Sequence, residues 1–228
     1  MSLHRSERAF VLKAPHGDLD AVSLVPDNPV ALVVLAHGAG AGLRHNTMEM
    51  IAAEFARQQL ATLRFNFPYM QAGKNRVDNK EVSVATIAAA AEYASTNSQV
   101  PLFLGGHSFG GRMASHAVAE EVVLCSGLIF CSFPLHGAKK PDDKRAAHMP
   151  DIASPMLFLS GTRDDLGDRD LLTALVKRLK RVHTRTRIHW LETANHSYVV
   201  LKRTRTNPMP VFAEMAQQAC QFVDEVID

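Results

Sequence analysis

Apolar residues in this chain fall into two alternating patterns: short unbroken runs, and stretches where they recur every three or four positions. Residues 30–36, Val-Ala-Leu-Val-Val-Leu-Ala, are the clearest run and read as a strand covered on both faces. Residues 61–67, 102–104, 127–133, 155–160 and 187–191 read as further strands. Between them, Met48, Ile51, Ala52, Phe55 and Ala56 share one side of a helix over residues 48–59. The alanine-rich residues 82–95 predict a second helix and the residues after Ser108 a third; residues 168–181 and 209–227 predict two more. Near the start, strands over residues 10–12 and 21–25 flank Pro15-His16-Gly17-Asp18, which predicts a hairpin. Residues 26–29 and 74–79 read as loops, and residues 135–153 are irregular, charged and Pro-bearing.

After the hairpin, strands and helices alternate. That order predicts an α/β fold: a mostly parallel sheet flanked by helices on both faces. With 228 residues, no internal repeat and no low-complexity linker, one domain over residues 1–228 is the economical organisation.

Composition mainly adds exclusions. Hydrophobic residues at 46% and charged residues at 21% are ordinary globular values. A formal charge of +2 gives no case for a nucleic-acid or membrane partner. No apolar run reaches the length of a membrane-spanning helix, and Met-Ser-Leu-His-Arg-Ser-Glu-Arg at the start lacks the apolar core of a signal peptide. Cys125, Cys131 and Cys220 are an odd number set among apolar neighbours. They read as reduced, buried thiols of a cytoplasmic protein, and their spacing does not make a zinc site. No metal and no organic cofactor are expected.

The candidate chemistry centres on Gly106-His107-Ser108-Phe109-Gly110, which fits G-x-S-x-G between a predicted strand and a predicted helix. That context is the nucleophile elbow, a sharp turn that strains the serine backbone and holds its oxygen clear of the sheet edge, at a helix N-terminus. A serine hydroxyl needs a base, and the base needs an orienting carboxylate. In parallel sheets such groups gather at the carboxyl ends of strands. Gly161-Thr162-Arg163-Asp164-Asp165 follows one strand and Ala194-Asn195-His196-Ser197 follows the last, so the chain order is Ser108, acid, His196. Asp164, closer to the strand end, is preferred as the acid over its neighbour Asp165; helix capping or a salt bridge, beside Asp168 and Asp170, is its competing role. An oxyanion needs two backbone N–H donors. One is expected from Phe109, and the other from the turn His37-Gly38-Ala39-Gly40-Ala41-Gly42, with Ala39 the first choice and Gly40 the second. The turn lacks the Lys-Ser/Thr ending of a nucleotide-binding loop.

Six segments together resemble the α/β-hydrolase superfamily over essentially the whole chain. They are His37-Gly38-Ala39-Gly40, Arg64-Phe65-Asn66-Phe67-Pro68-Tyr69, the elbow through Gly111-Arg112, Phe133-Pro134-Leu135-His136, Gly161-Thr162-Arg163-Asp164 and Asn195-His196. The closest resemblance is to the small, capless dienelactone-hydrolase-like branch. That branch includes uncharacterised bacterial proteins and, in animals, relatives of a testis-expressed protein and of a subunit of a nuclear acetyltransferase complex. The resemblance implies Ser108 as nucleophile, Asp164 as acid and His196 as base.

The expected function is therefore hydrolysis of a small-molecule carboxylic ester or thioester through an acyl-enzyme. The alternatives are amide or peptide hydrolysis by the same triad, or a non-catalytic scaffold that keeps the fold. Residues 134–153 stand where a lid often forms and are only one loop or short helix long, which predicts an open, shallow site. His37, Gly40, Tyr69, His107, Leu135 and His136 are pocket candidates, with Phe67, Met70, Phe109 and Phe133 beside them; core packing competes for each. Basic residues cluster at Lys139, Lys140, Lys144 and Arg145, at residues 177–187, and at Lys202, Arg203 and Arg205. They read as solvated faces, or as contacts for an anionic substrate or partner. Arg112 reads as one half of a structural ion pair.

Overall fold

A computed structural model describes residues 5–138 and 140–228. Lys139 of the first basic cluster lies outside them, as do the first four residues of the N-terminal segment.

Eight strands form one sheet in the order β1-β2-β4-β3-β5-β6-β7-β8. Strands β1 (Arg5–Ala14) and β2 (Gly17–Pro26) are the predicted hairpin, each strand longer than expected. Alternating exposed and buried positions on β2 hide its length from a search for apolar runs. Strand β2 also pairs antiparallel with β4 (Leu60–Phe65). The rest of the sheet is parallel: β3 (Ala31–Ala36), β5 (Leu102–His107), β6 (Gly127–Cys131), β7 (Met156–Gly161) and β8 (Arg187–Leu191). In β3 every residue is buried, and its side chains alternate between two cores. Leu32, Val34 and Ala36 lie on the side of the sheet covered by α3 (Lys80–Asn97), α4 (Phe109–Ala119) and, farther along, α5 (Arg169–Leu179). Ala31, Val33 and Leu35 face α1 (Asn46–Arg57) and α6 (Val211–Ile227).

Two strand ends differ from expectation. Strand β4 stops at Phe65, and Pro68 opens a one-turn helix, α2 (Pro68–Gln71), because proline suits a first helical turn. Strand β6 stops at Cys131, and Ser132 turns off it at φ 54°. The segment at 132–155 holds 3₁₀ turns at Lys144–Ala146 and Met149–Asp151. It is pinned to the α4 face by buried Ala146 and Met149 and by the His148 ring, which stacks on His116 at 3.7 Å and lies 2.8 Å from the Ser115 hydroxyl.

Three members of the basic clusters are ion-paired among the described residues. Arg178 pairs with Asp143, Arg187 with Glu225, and Arg205 with Glu214. Arg112 is not ion-paired among the described residues; its guanidinium lies 5.9 Å from the centre of the Phe109 ring. Among the described residues no helix is long and apolar enough to cross a membrane.

The chain winds β3 to β4 on one side, then crosses to β5 on the other side of β3. The loops after β3 and β5 therefore diverge, which opens a crevice at the carboxyl end of the sheet. Glycines allow the close packing beneath it. A Cβ on Gly105 would sit 2.0 Å from the Ile129 carbonyl oxygen, and one on Gly110 would sit 2.3 Å from that of Ala36. Both obstacles are backbone, so neither can move aside cheaply. Gly105→Ala is expected to cost about 3 kcal/mol in urea unfolding. Gly73→Ala, in open space at φ 65°, is expected to cost only about 1 kcal/mol.

Candidate active site

Ser108 follows β5 directly and is the N-cap of α4, at φ 50° and ψ −114°. Non-glycine residues rarely tolerate this conformation. Neighbouring bonds over-determine it: the Ser108 N–H donates to Cys131 O at 2.9 Å, and the Ser108 carbonyl accepts from Arg112 N at 3.1 Å.

The loop after β8 carries His196. Its backbone is tied at Asn195, whose side chain accepts from the N–H groups of Ser197 and Val199, and at Ala194, whose carbonyl accepts from Arg163 N. His196 Nε2 lies 2.8 Å from Ser108 Oγ, and His196 Nδ1 lies 2.9 Å from each oxygen of Asp164. The carboxylate can only accept, so Nδ1 carries the proton and Nε2 is free to accept the serine hydrogen. The Asp164 side chain is fully buried and also accepts from Leu166 N at 2.9 Å. Asp165 is exposed, and the ion pair of His196 is with Asp164. Asp168 caps α5. The geometry thus separates three acids that the sequence left side by side.

A cleft of about 320 Å³ opens over Ser108. Gly38, Ala39, Gly40 and Ala41 form one wall; His107, His196 and Ser197 form the other, with His45 and Leu166 at the edges. None of the described residues of 132–155 lines it, in keeping with the open site expected. The segment's apolar side chains are spent on the α4 face.

Of the six pocket candidates, Gly40 and His107 line this cleft and four do not. His37 is fully buried: its Nε2 accepts from Phe67 N at 3.1 Å and its Nδ1 donates to Gly38 O at 2.8 Å, tying the end of β3 to the start of α2. Tyr69 is buried too, and its hydroxyl accepts from Gly40 N at 3.1 Å. That bond occupies the second-choice oxyanion donor, whereas Phe109 N is the first amide of α4, where helices leave donors unbonded. His136 accepts from Asp168 N at 3.1 Å and donates to Gly137 O, bracing the loop that carries Asp164. Leu135 is core, as are Phe67, Phe133 and the Phe109 ring; Met70 lies in a separate groove. His107 spans the two walls: its Nε2 donates to His196 O at 3.0 Å, and its Nδ1 would lie 2.8 Å from a Cβ on Gly38. Sequence reasoning did not single out His45, Ala41, Leu166 or Ser197. Proximity in sequence to Gly42 and to Asp164 was the only signal available for the first three. Among the described residues no group of three His, Cys, Asp or Glu side chains is placed to hold a metal ion.

Burial lowers the pKa of His37 and His107 from 6.5 to about 4, and burial acts likewise on His148. Each is neutral in the fold and binds a proton more readily once unfolded. Their contribution is complete above about pH 6.5 and is lost as pH falls toward 4. Urea unfolding at pH 7.5 and 4.5 is expected to show this fall, and His37→Gln, which keeps an acceptor for Phe67 N, should flatten it. The strain at Ser108 has its own test. Ser108→Gly and Ser108→Ala both remove the hydroxyl, yet the glycine variant should be more stable by about 1–2 kcal/mol, because only glycine accepts this backbone.

A family model described as an alpha/beta hydrolase domain matches residues 29–224. Among solved structures, a dienelactone hydrolase from Anabaena variabilis superposes with a TM-score of 0.71 at 18% identity, over 97% of this chain and 98% of that one. XC6422 from Xanthomonas campestris, described as a serine hydrolase without lid, gives 0.68 at 18% identity, over 97% and 94%. Est1E from Butyrivibrio proteoclasticus, solved with ferulic acid bound, gives 0.73 at 16% identity, over 96% and 99%. The chain belongs to the α/β-hydrolase family and has the fold of its small, lidless, dienelactone-hydrolase-like members.

Proposed function

We propose that this protein is a serine hydrolase that cleaves carboxylic esters or thioesters of small molecules. The observation that carries the reading is the continuous hydrogen-bonded chain from Ser108 through His196 to buried Asp164, ending in an open cleft. In the proposed reaction, Ser108 Oγ attacks the carbonyl carbon while His196 Nε2 takes its proton. The backbone N–H groups of Ala39 and Phe109 receive the oxyanion. Asp164 holds the Nδ1–H tautomer and stabilises the imidazolium. His196 then returns the proton to the departing alcohol or thiol, and water releases the acyl group by the same base. A cleft of about 320 Å³ is at the small end for ligand sites and suits short acyl groups. The three cysteines are free thiols, which fits a reducing compartment such as the cytoplasm.

Labelling with a fluorophosphonate probe tests the nucleophile without knowledge of the substrate. Wild type should label, and Ser108→Ala and His196→Ala should not. Asp164→Asn should label and turn over short esters about 10⁴-fold more slowly. Folded wild type that neither labels nor hydrolyses any ester or thioester would overturn the reading in favour of a scaffold. Turnover of amides alone would move it to that class.

A further inference from the structure

A second groove, of about 550 Å³, lies on the far side of the 38–41 loop and shares Ala41 and His45 with the lining of the cleft over Ser108. Its walls come from the β1–β2 hairpin, the end of β4, Met70 of α2 and the 41–45 turn. Its place across the sheet decides which part of a substrate could reach it. The order runs from the hairpin and β4, through the β3 loop, to Ser108 after β5, with His196 arriving from beyond β8. The leaving oxygen must face His196 Nε2, which protonates it. What extends the other way, past the oxyanion loop, is the acyl half.

The lining sets the chemistry. Ala21, Val22, Phe10 and Met70 supply hydrocarbon, while Asp20, Arg44, His45 and Asn66 supply polar groups; Asn66 is already engaged, accepting from Leu43 N and donating to Gln71. His45 Nδ1 accepts from Thr47 N at 3.2 Å, so its proton sits on Nε2 as a donor. Among the described residues the Asp20 carboxylate has no ion-pair partner, whereas Arg44 is already held by Glu7 and Glu49. Unpaired carboxylate and satisfied guanidinium together disfavour an anion. An exposed carboxylate and an imidazole disfavour a plain alkyl chain. A hydroxyl uses both, donating to Asp20 and accepting from His45.

We propose that this groove is an acyl subsite selecting hydroxylated acyl groups, with Asp20 and His45 as the residues that read the hydroxyl. The proposal rests on the hydrolase reading above and deepens it. The test compares kcat/KM for methyl esters of straight-chain acids of six, eight and ten carbons, each with and without a terminal hydroxyl. At the length that reaches Asp20, the hydroxylated ester should be preferred by about 10-fold or more, the strength of one hydrogen bond to a charged group. Asp20→Ala, an exposed change, should bring that ratio close to one, and His45→Asn, which keeps a capping acceptor, should lower it. Esters bearing a terminal ammonium or carboxylate serve as competitors. Preference for either over the hydroxyl, or no preference at any length with simple esters still hydrolysed, would overturn the subsite and leave the hydrolase reading standing. A folded protein that hydrolyses none of the series and takes no fluorophosphonate would overturn both.

Discussion

The site depends on how closely the β5–turn–α4 unit approaches the end of β3. Backbone meets backbone there, with the Ala36 carbonyl only 2.3 Å from where a Cβ on Gly106 or Gly110 would stand. That approach places the start of α4 beside the loop that carries Ala39. It also lets the sheet bend Ser108 into a conformation it would not choose, because bonds to Cys131 O and from Arg112 N fix its own N–H and carbonyl. The strain is affordable only inside an over-determined frame, and the buried β3, β5 and β6 supply it.

Around this frame, imidazoles act as ties more than as reagents. His37 joins the β3 end to α2, His136 joins the post-β6 turn to the Asp164 loop, and His107 joins β5 to the His196 loop. Each ring presents one donor and one acceptor at fixed separation, which suits bridging two backbone segments when it stays neutral. His196 differs in its surroundings: one nitrogen meets a carboxylate and the other meets the Ser108 hydroxyl at the cleft. Residue type does not separate brace from base; the partners on each nitrogen do.

The same point marks how far the sequence could be read. The order of elements and the elbow were legible because they rest on local signals: unbroken apolar runs, glycines and proline. The pairing of Asp164 with His196 was legible only as a preference over Asp165, since side-chain direction after a strand end is set by tertiary bonds such as that to Leu166 N. The pocket was the least legible part. His37, Tyr69, Leu135 and His136 are near the site in sequence, yet their side chains point into the frame beneath it. Residues 134–153 look like a lid by position, but Ala146 and Met149 are anchors into the core, and the sequence does not say which core an apolar residue joins.

An uncovered cleft has a consequence for selectivity. On the proposed hydrolase reading, and with none of the described residues of 132–155 lining the cleft, discrimination must come from walls that the fold already holds rigid. Two such walls flank Ser108: the β3 loop, tied by Tyr69, Asn66 and Arg64, and the His196 loop, tied by Asn195. The β3 loop carries the second groove on its far side, against the β1–β2 hairpin. Changes in the hairpin and in the 41–45 turn can therefore alter what is bound while leaving the strained elbow and its buried ties untouched. On the proposed hydrolase reading, that separation would let one frame serve different acyl groups, because the bonds that hold Ser108 and the side chains of the groove lie on opposite sides of the same loop.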